Sequence, residues 1–444
     1  MKNILILGIC ILIIGCCETS KRTYTVAGTL KDEEVKIAKL KTSDSTFIDS
    51  LKNGLFKFIV PALNEEYLVL KIGKRIPMYV KPGDSMFIDY ENLDIMNFSG
   101  RGFEESQFLH EKRQLIKAMG IDDPRLIDRD LLSSEPEIYL QKIDSIKEIR
   151  INHLNDYRKS KPNISNSFCD TESQLINYYW VNQQFLYPRF YEMLTGNKPV
   201  LSDNYYNFTE QIETNNKALF SFRAYKSALS SYLDFKSKTF NDKYAIAKEL
   251  FSDSAIHDEI MFREFYRYMS FNGIDNIDSI CKEFIESLSD EERKERLLGK
   301  YQAWSKLAKG KKAPDFEIRD EKGNLVRLSD LQGKFVYIDC WSSYCGPCIA
   351  EMPAMKKLSE DLKGNNIVFI SISADKDIER WLGKLKEYNM NTTNLCTEGA
   401  RHKFNKDYNA RAFPRYILID DKGIIIDATA NKPSMIKEEL EQLL

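Results

Sequence analysis

Two thiols three residues apart, Cys345 and Cys348, flank Gly346-Pro347 between an apolar run and a helical pattern. A pair at that spacing can close a disulfide and reopen it. At a helix start, the partial positive charge of unpaired amides favours thiolate over thiol. That makes Cys345 the attacking sulfur. Cys348 falls a turn inside, shielded, where it can attack a mixed disulfide formed on Cys345. Pro347 is tolerated because first-turn amides need no helical partner. Zinc would need a second Cys or His pair, and the four His of the chain include no such pair. A purely structural bridge across Gly-Pro would remove almost no chain entropy. The chemistry indicated is redox exchange, with no metal and no cofactor beyond the Cys345–Cys348 disulfide.

The elements around the pair are those of an α/β layer. Residues 335–340 form an apolar strand that ends just before the motif, and 367–373 form another. Residues 416–420 and 424–427 are two more, joined by the turn Asp421-Lys422-Gly423. Helical patterns fill 346–363, 377–390 and 434–443. Strands alternating with helices predict a central sheet.

Trp341-Ser342-Ser343-Tyr344-Cys345-Gly346-Pro347-Cys348 resembles the active site of the thioredoxin superfamily. Asp339, six residues before Cys345, matches a buried acid of that superfamily, and Trp341 precedes the motif in the usual place. Pro353 matches a helix-kinking proline, and Phe413-Pro414 the cis-proline loop that faces the disulfide. The run Cys345 to Pro353, with Ala313-Pro314-Asp315-Phe316 and Leu328-Ser329-Asp330-Leu331, is similar to the membrane-anchored TlpA/ResA-type oxidoreductases. The resemblance covers roughly residues 310–444. It implies that Asp339 handles the Cys348 proton, and that Gly346, Pro347, Trp341, Tyr344, Phe413 and Pro414 surround the sulfurs. Tyr344 stands where Trp is common, and Phe413 where many relatives carry a smaller residue. The resemblance also implies oxidised envelope proteins as substrates, apocytochrome c among them, and a membrane protein as electron donor.

The other end of the chain reads as an address. Lys2 is followed by an apolar run over residues 4–14, too short to cross a bilayer core of about 30 Å. Such a run is the core of a secretory signal, here residues 1–15. Ile13-Ile14-Gly15-Cys16 resembles the lipobox of bacterial lipoproteins, which implies a lipid on Cys16 and a tether over residues 16–22. The expected location is the cell envelope, lipid-anchored and facing the periplasm. After Cys10, Cys16 and the redox pair, Cys17, Cys169, Cys281, Cys340 and Cys396 remain, with no regular spacing. They do not form a disulfide framework. Cys281 and Cys340 read as core, and Cys396 reads as core more readily than as a third redox thiol.

Residues 23–102 alternate apolar and polar. Tyr24, Val26; Val35, Ile37; Phe56, Phe58, Val60; and Met86, Ile88, Tyr90 mark strands with one wet face, expected to form an antiparallel β-sandwich. No catalytic constellation lies here, so the domain reads as a spacer or docking module. Residues 103–305 change to helical period, as in Ile256, Ile260, Met261, Phe265, and are expected to form an all-α domain. The aromatic stripe from Tyr178 to Phe208 fits a helix core more readily than a ligand groove. Residues 306–444 form the thioredoxin-like domain, entered through a linker at 309–312.

Composition closes off other classes. Among 444 residues, Lys+Arg is 64 against Asp+Glu 66, a net charge of -2 that lacks the basic excess of a nucleic-acid binder. The expected function is an envelope thiol-disulfide oxidoreductase working as a disulfide reductase. Two alternatives stay open. One is a peroxiredoxin-like peroxidase, which shares the Ala313 lead-in. It would want a proline eight residues before Cys345, where Tyr337 stands. The other is a surface lipoprotein whose first 300 or so residues bind a ligand.

Overall fold

The computed structural model describes residues 23–31, 34–120 and 129–444. The expected leader, Cys16 and the tether lie outside the described residues. Among the described residues, no helix is long and apolar enough to cross a membrane.

Among the described residues, eight strands come first: β1 Thr23–Leu30, β2 Ile37–Lys41, β3 Thr46–Ser50, β4 Leu55–Pro61, β5 Glu66–Ile72, β6 Lys74–Val80, β7 Ser85–Tyr90 and β8 Met96–Arg101. They make two four-stranded sheets, ordered β4-β1-β7-β8 and β3-β2-β5-β6. Alternation decides what is buried. Tyr24, Val26, Phe58 and Ile88 from one sheet share a core with Leu40, Leu70 and Met78 from the other. Two details differ from the sequence expectation. First, β1 runs parallel to β7, because side-chain alternation fixes faces and is blind to strand direction. Second, Val35 precedes β2 and packs against the core, but Ile37 does not share its face. Ile37 is 47% exposed, and Ala38 and Leu40 point inward instead. A small inward residue such as Ala38 leaves little hydrophobic signal.

The helices that follow belong to two cores. The compact units are residues up to Ile212 with Ser221–Ala228, and Glu213–Phe220 with Leu229–Leu444. This division cuts the expected 103–305 domain in two. The reason lies in the packing. Phe108, Leu154, Phe168 and Ile176 close on Tyr79 of β6 in one core, so the early helices complete the strand-rich unit. The later helices, Phe240–Leu250, Ser254–Asn272, Asp278–Ser287 and Glu291–Ser305, belong to the second unit. The aromatic stripe is largely interior: Tyr139 stacks on Tyr187 at 4.2 Å, and Tyr178, Tyr205 and Phe208 are buried.

The second unit also holds a β9 Glu317–Arg319 and β10 Leu325–Arg327 hairpin, then β11 Phe335–Trp341, β12 Ile367–Ser373, β13 Thr393–Cys396, β14 Arg415–Ile419 and β15 Ile425–Asp427. The last five form one sheet in the order β13-β12-β11-β14-β15. β11 is central, parallel to β12 and antiparallel to β14. Helices Gly346–Asp361, Ile378–Glu387 and Lys437–Leu443 accompany it. The expected linker is part of the structure. Gly310 N–H donates to the Ile425 carbonyl at 2.8 Å and Ile425 N–H to the Lys311 carbonyl at 2.8 Å, which covers the open edge of β15.

Gly28 sits in β1 opposite Phe56 and Ile88. A Cβ there would lie 2.2 Å from the Ile88 carbonyl oxygen and 2.7 Å from Phe56 Cζ. Gly28→Ala must push β1 away from β7 or displace the ring. The expected cost is about 1–3 kcal/mol, by analogy with overpacked cores. Hydrogen exchange should show it as lost amide protection in β1, β4 and β7, with the sheet containing β11 unchanged.

Candidate active site

β11 is apolar and almost wholly buried, since sheet neighbours and helices enclose it. Its carboxyl end must break into a loop to bring a thiol to the surface. Asp375, two residues past β12, holds that loop. Its buried carboxylate accepts from Ser343 N at 2.8 Å, Ser342 Oγ at 2.9 Å, Ser343 Oγ at 2.9 Å and Ser373 Oγ at 2.6 Å. The chain then enters the helix Gly346–Asp361, with Pro347 in its first turn.

Cys345 is the N-cap of this helix and is joined to Cys348 by a disulfide. Cys348 N–H donates to Cys345 Sγ at 3.2 Å, so a helix-end amide faces the outer sulfur. Cys345 is half-buried, whereas Cys348 is 2% exposed. Cys348 packs with Trp341, Met352, Trp381, Leu385 and Cys396, and Phe413 lies against the same cluster. The Phe413–Pro414 peptide is cis. Tyr344 projects outward at 67% exposure, and the Arg380 guanidinium covers its ring at 4.1 Å. Arg380 Nε also donates to Ser343 Oγ at 3.1 Å. Gly346 and Pro347 are exposed. The rim of the disulfide is thus Tyr344, Gly346 and Pro347, and its apolar floor holds Trp341 and Phe413.

Asp339 is buried in β11, and its Oδ1 has no hydrogen-bond partner among the described residues. Burial, with a smaller contribution from the nearby Glu351 carboxylate, pushes its pKa up to about 8. Glu351 lies one turn beyond Cys348. Desolvation raises its pKa, but bonds from Lys432 Nζ at 2.8 Å and from Ser434 outweigh that, and the net shift is downward. The two carboxyls therefore differ: Asp339 holds its proton near neutrality and Glu351 does not.

Sequence reasoning missed Asp375, Arg380 and Trp381. Asp375 meets Ser343 across 32 residues of chain, and nothing local announces that contact. A polar Ser-x-Asp at the end of an apolar strand was the available signal. Cys396 is buried as expected. Its thiol donates to the Asp375 carbonyl at 3.4 Å, and burial raises its pKa.

Residues 308–444 match the Redoxin family. The thioredoxin-like protein YneN of Bacillus subtilis is 31% identical over 151 residues, which span 32% of this chain and 85% of that protein. The thiol-disulfide oxidoreductase ResA of Bacillus cereus is 30% identical over 146 residues, 33% of this chain and 82% of its own length. A solved thioredoxin domain of a thiol-disulfide oxidoreductase from Bacteroides vulgatus is 27% identical, with a TM-score of 0.29, and matches 31% of this chain and 98% of that one.

The position of Asp339 sets a stability slope. Between about pH 4, where the unfolded carboxyl titrates, and pH 8, the folded state keeps a proton that the unfolded state loses. Stability contributed by this group is full below pH 4 and falls as pH rises to 8. Asp339→Asn should flatten that slope and, above pH 8, equal or exceed wild type in stability. Urea midpoints of the reduced protein from pH 4 to 9 check it. A midpoint well below wild type at every pH would make Asp339 a purely structural residue.

Proposed function

Because the chain belongs, through its residues 308–444, to the ResA-type thioredoxin-like thiol-disulfide oxidoreductases, we propose that it is an envelope disulfide reductase. The observation that carries the reading is the asymmetry of the pair, with Cys345 at an accessible helix start and Cys348 buried behind it.

In the reduced protein, the Cys345 thiolate attacks one sulfur of a substrate disulfide. A mixed disulfide forms and the substrate's other sulfur leaves as thiolate. Cys348 gives up its proton, attacks Cys345 Sγ and releases the second substrate thiolate. Two electrons pass to the substrate, and the enzyme is left with the Cys345–Cys348 disulfide. Asp339 is the proposed proton acceptor for Cys348, and returns that proton when the disulfide is reopened. The Gly-Pro dipeptide between the thiols is that of thioredoxin, at the reducing end of the scale near −270 mV. Restoring the dithiol needs an electron donor of the membrane, and oxidised envelope proteins are the substrates. A lipid on Cys16 holds the chain at the membrane, facing the periplasm.

Insulin-disulfide reduction tests the roles. Cys345→Ser should abolish it. Cys348→Ser should still attack but fail to resolve, and mixed disulfides should accumulate on non-reducing gels. Adducts with Cys345→Ser and none with Cys348→Ser would reverse the assignment. Asp339→Asn should slow exchange near neutral pH by roughly 10²-fold, in the range of positioned proton transfer.

The address is tested separately. One acyl chain holds a protein to a membrane marginally, and several hold it stably. Cys16→Ser should take up no labelled palmitate and should leave the membrane fraction. Equal labelling of wild type and variant would dismiss the anchor.

A further inference from the structure

A second charged site lies within the same compact unit, away from the sulfurs. A cavity of about 750 Å³ opens between the helices Ser254–Asn272 and Glu291–Ser305 and the segment 406–412, which leads into the cis-proline loop. Its wall carries Arg296, Lys300, Lys306, Lys406 and Arg411, against a single carboxylate, Asp407. Asp407 already pairs with Lys403. Among the described residues, no ion pair is made by Lys300, Lys306, Lys406 or Arg411. Arg296 pairs loosely with Glu292 at 3.9 Å. Like charges lining one cavity repel one another in the folded chain, and a bound anion relieves that repulsion.

Behind this wall lies Arg415, the residue after Pro414, at 4% exposure. Its guanidinium stacks on Trp304 at 4.6 Å and donates from Nη2 to the Ser270 carbonyl, and both of those residues line the cavity. Its Nε and Nη1 are buried without a partner among the described residues. A buried guanidinium with no counter-charge is costly, and its donors are the fork that recognises carboxylate or phosphate. Lys300 senses the same crowding. Burial first, then Arg415 and Arg411, pull its pKa down to about 8.

We propose that this cavity is an anion site that takes a ligand carrying clustered carboxylate or phosphate groups. Trp304 and Tyr266 supply the apolar wall, with Lys300 held 4.1 Å over the Tyr266 ring. One chemistry has two possible sources: a free small polyanion, or acidic side chains flanking a substrate disulfide. The second source would use the site's continuity with Phe413-Pro414, which borders the redox centre.

The full chain is titrated calorimetrically with citrate and, separately, with inorganic pyrophosphate. Wild type should bind one equivalent of at least one probe with Kd in about the micromolar to low-millimolar range. Arg411→Ala, at an exposed position, and Lys300→Met, which keeps the apolar stem, should each weaken binding about tenfold or more, with unchanged melting. Disulfide peptides with Asp/Glu flanks or Asn/Gln flanks then identify the source. A lower KM for the acidic peptide, lost in Arg411→Ala with kcat kept, assigns the site to the substrate's own carboxylates. Equal KM values beside measurable probe binding assign it to a free anion. If neither probe binds wild type and the peptides do not differ, or if both variants bind the probes as wild type does, the proposal is overturned. The calorimetric arm does not depend on the redox reading, so failure of one leaves the other intact.

Discussion

Two thiols in one helical turn must meet opposite environments. Cys345 has to reach a sulfur on another protein, and Cys348 has to be kept from water until it is needed. A helix beginning at the carboxyl end of a buried central strand satisfies both demands. The strand end is at the surface, so the N-cap is accessible, while the next turn already lies against the sheet. Everything else at the site maintains that geometry. The Asp375 carboxylate gathers three hydroxyls and an amide, and so fixes the loop that sets where the helix starts. A hydrogen bond to a charged acceptor contributes roughly 1.5–3 kcal/mol, which is enough to outweigh the ordering of a short loop.

The same burial that protects Cys348 sets the acid–base chemistry. Asp339 has no cation beside it and one unpaired oxygen, so desolvation dominates and the proton is retained. Glu351, one turn beyond Cys348, is bonded by Lys432 and Ser434, and there the bonds win. The difference follows from partners and not from residue type. Desolvation, with a smaller push from the Glu351 carboxylate, places ionisation of Asp339 at the higher pH. This is where a group must titrate to exchange protons with a thiol near neutrality.

How much of this was legible depends on the range of the interactions. The motif Cys345-Gly346-Pro347-Cys348 is local, and so is the apolar run of residues 335–340; both were readable. Asp339 and Phe413-Pro414 were placed by resemblance, not by spacing. β13 was invisible because Asn394, a polar residue, is buried there; Thr392 Oγ1 donates to it at 2.9 Å. That bond satisfies a group which, judged by sequence alone, argues for a loop. The end of the early helical core was equally hidden. Phe168 and Tyr79 meet across nearly ninety residues, at 4.9 Å, and the Tyr67 hydroxyl donates to Glu172 at 3.1 Å across more than a hundred; contacts of that range assign the helix Asn166–Thr195 to the strand-rich unit. Periodicity gives each element's face but not the partner that the face will choose.

The later helices therefore are more than a spacer before the redox domain. Arg415 begins β14 directly after the cis-proline, and its guanidinium is clasped by Trp304 and by the Ser270 carbonyl, both from those helices. The strand that follows the cis-proline loop is thus pinned to the helical layer by a charged group that cannot move into water without leaving a stacking partner and a hydrogen bond. A redox domain excised at residue 306 would lose Trp304 and Ser270 together, and would expose Arg415 at the foot of the loop. The helices and the sheet form one functional body at this point. An anion held against Arg411 and Lys300 would act on the same loop, because residue 412 lies in the cavity wall and residue 413 lies against the cluster that buries Cys348.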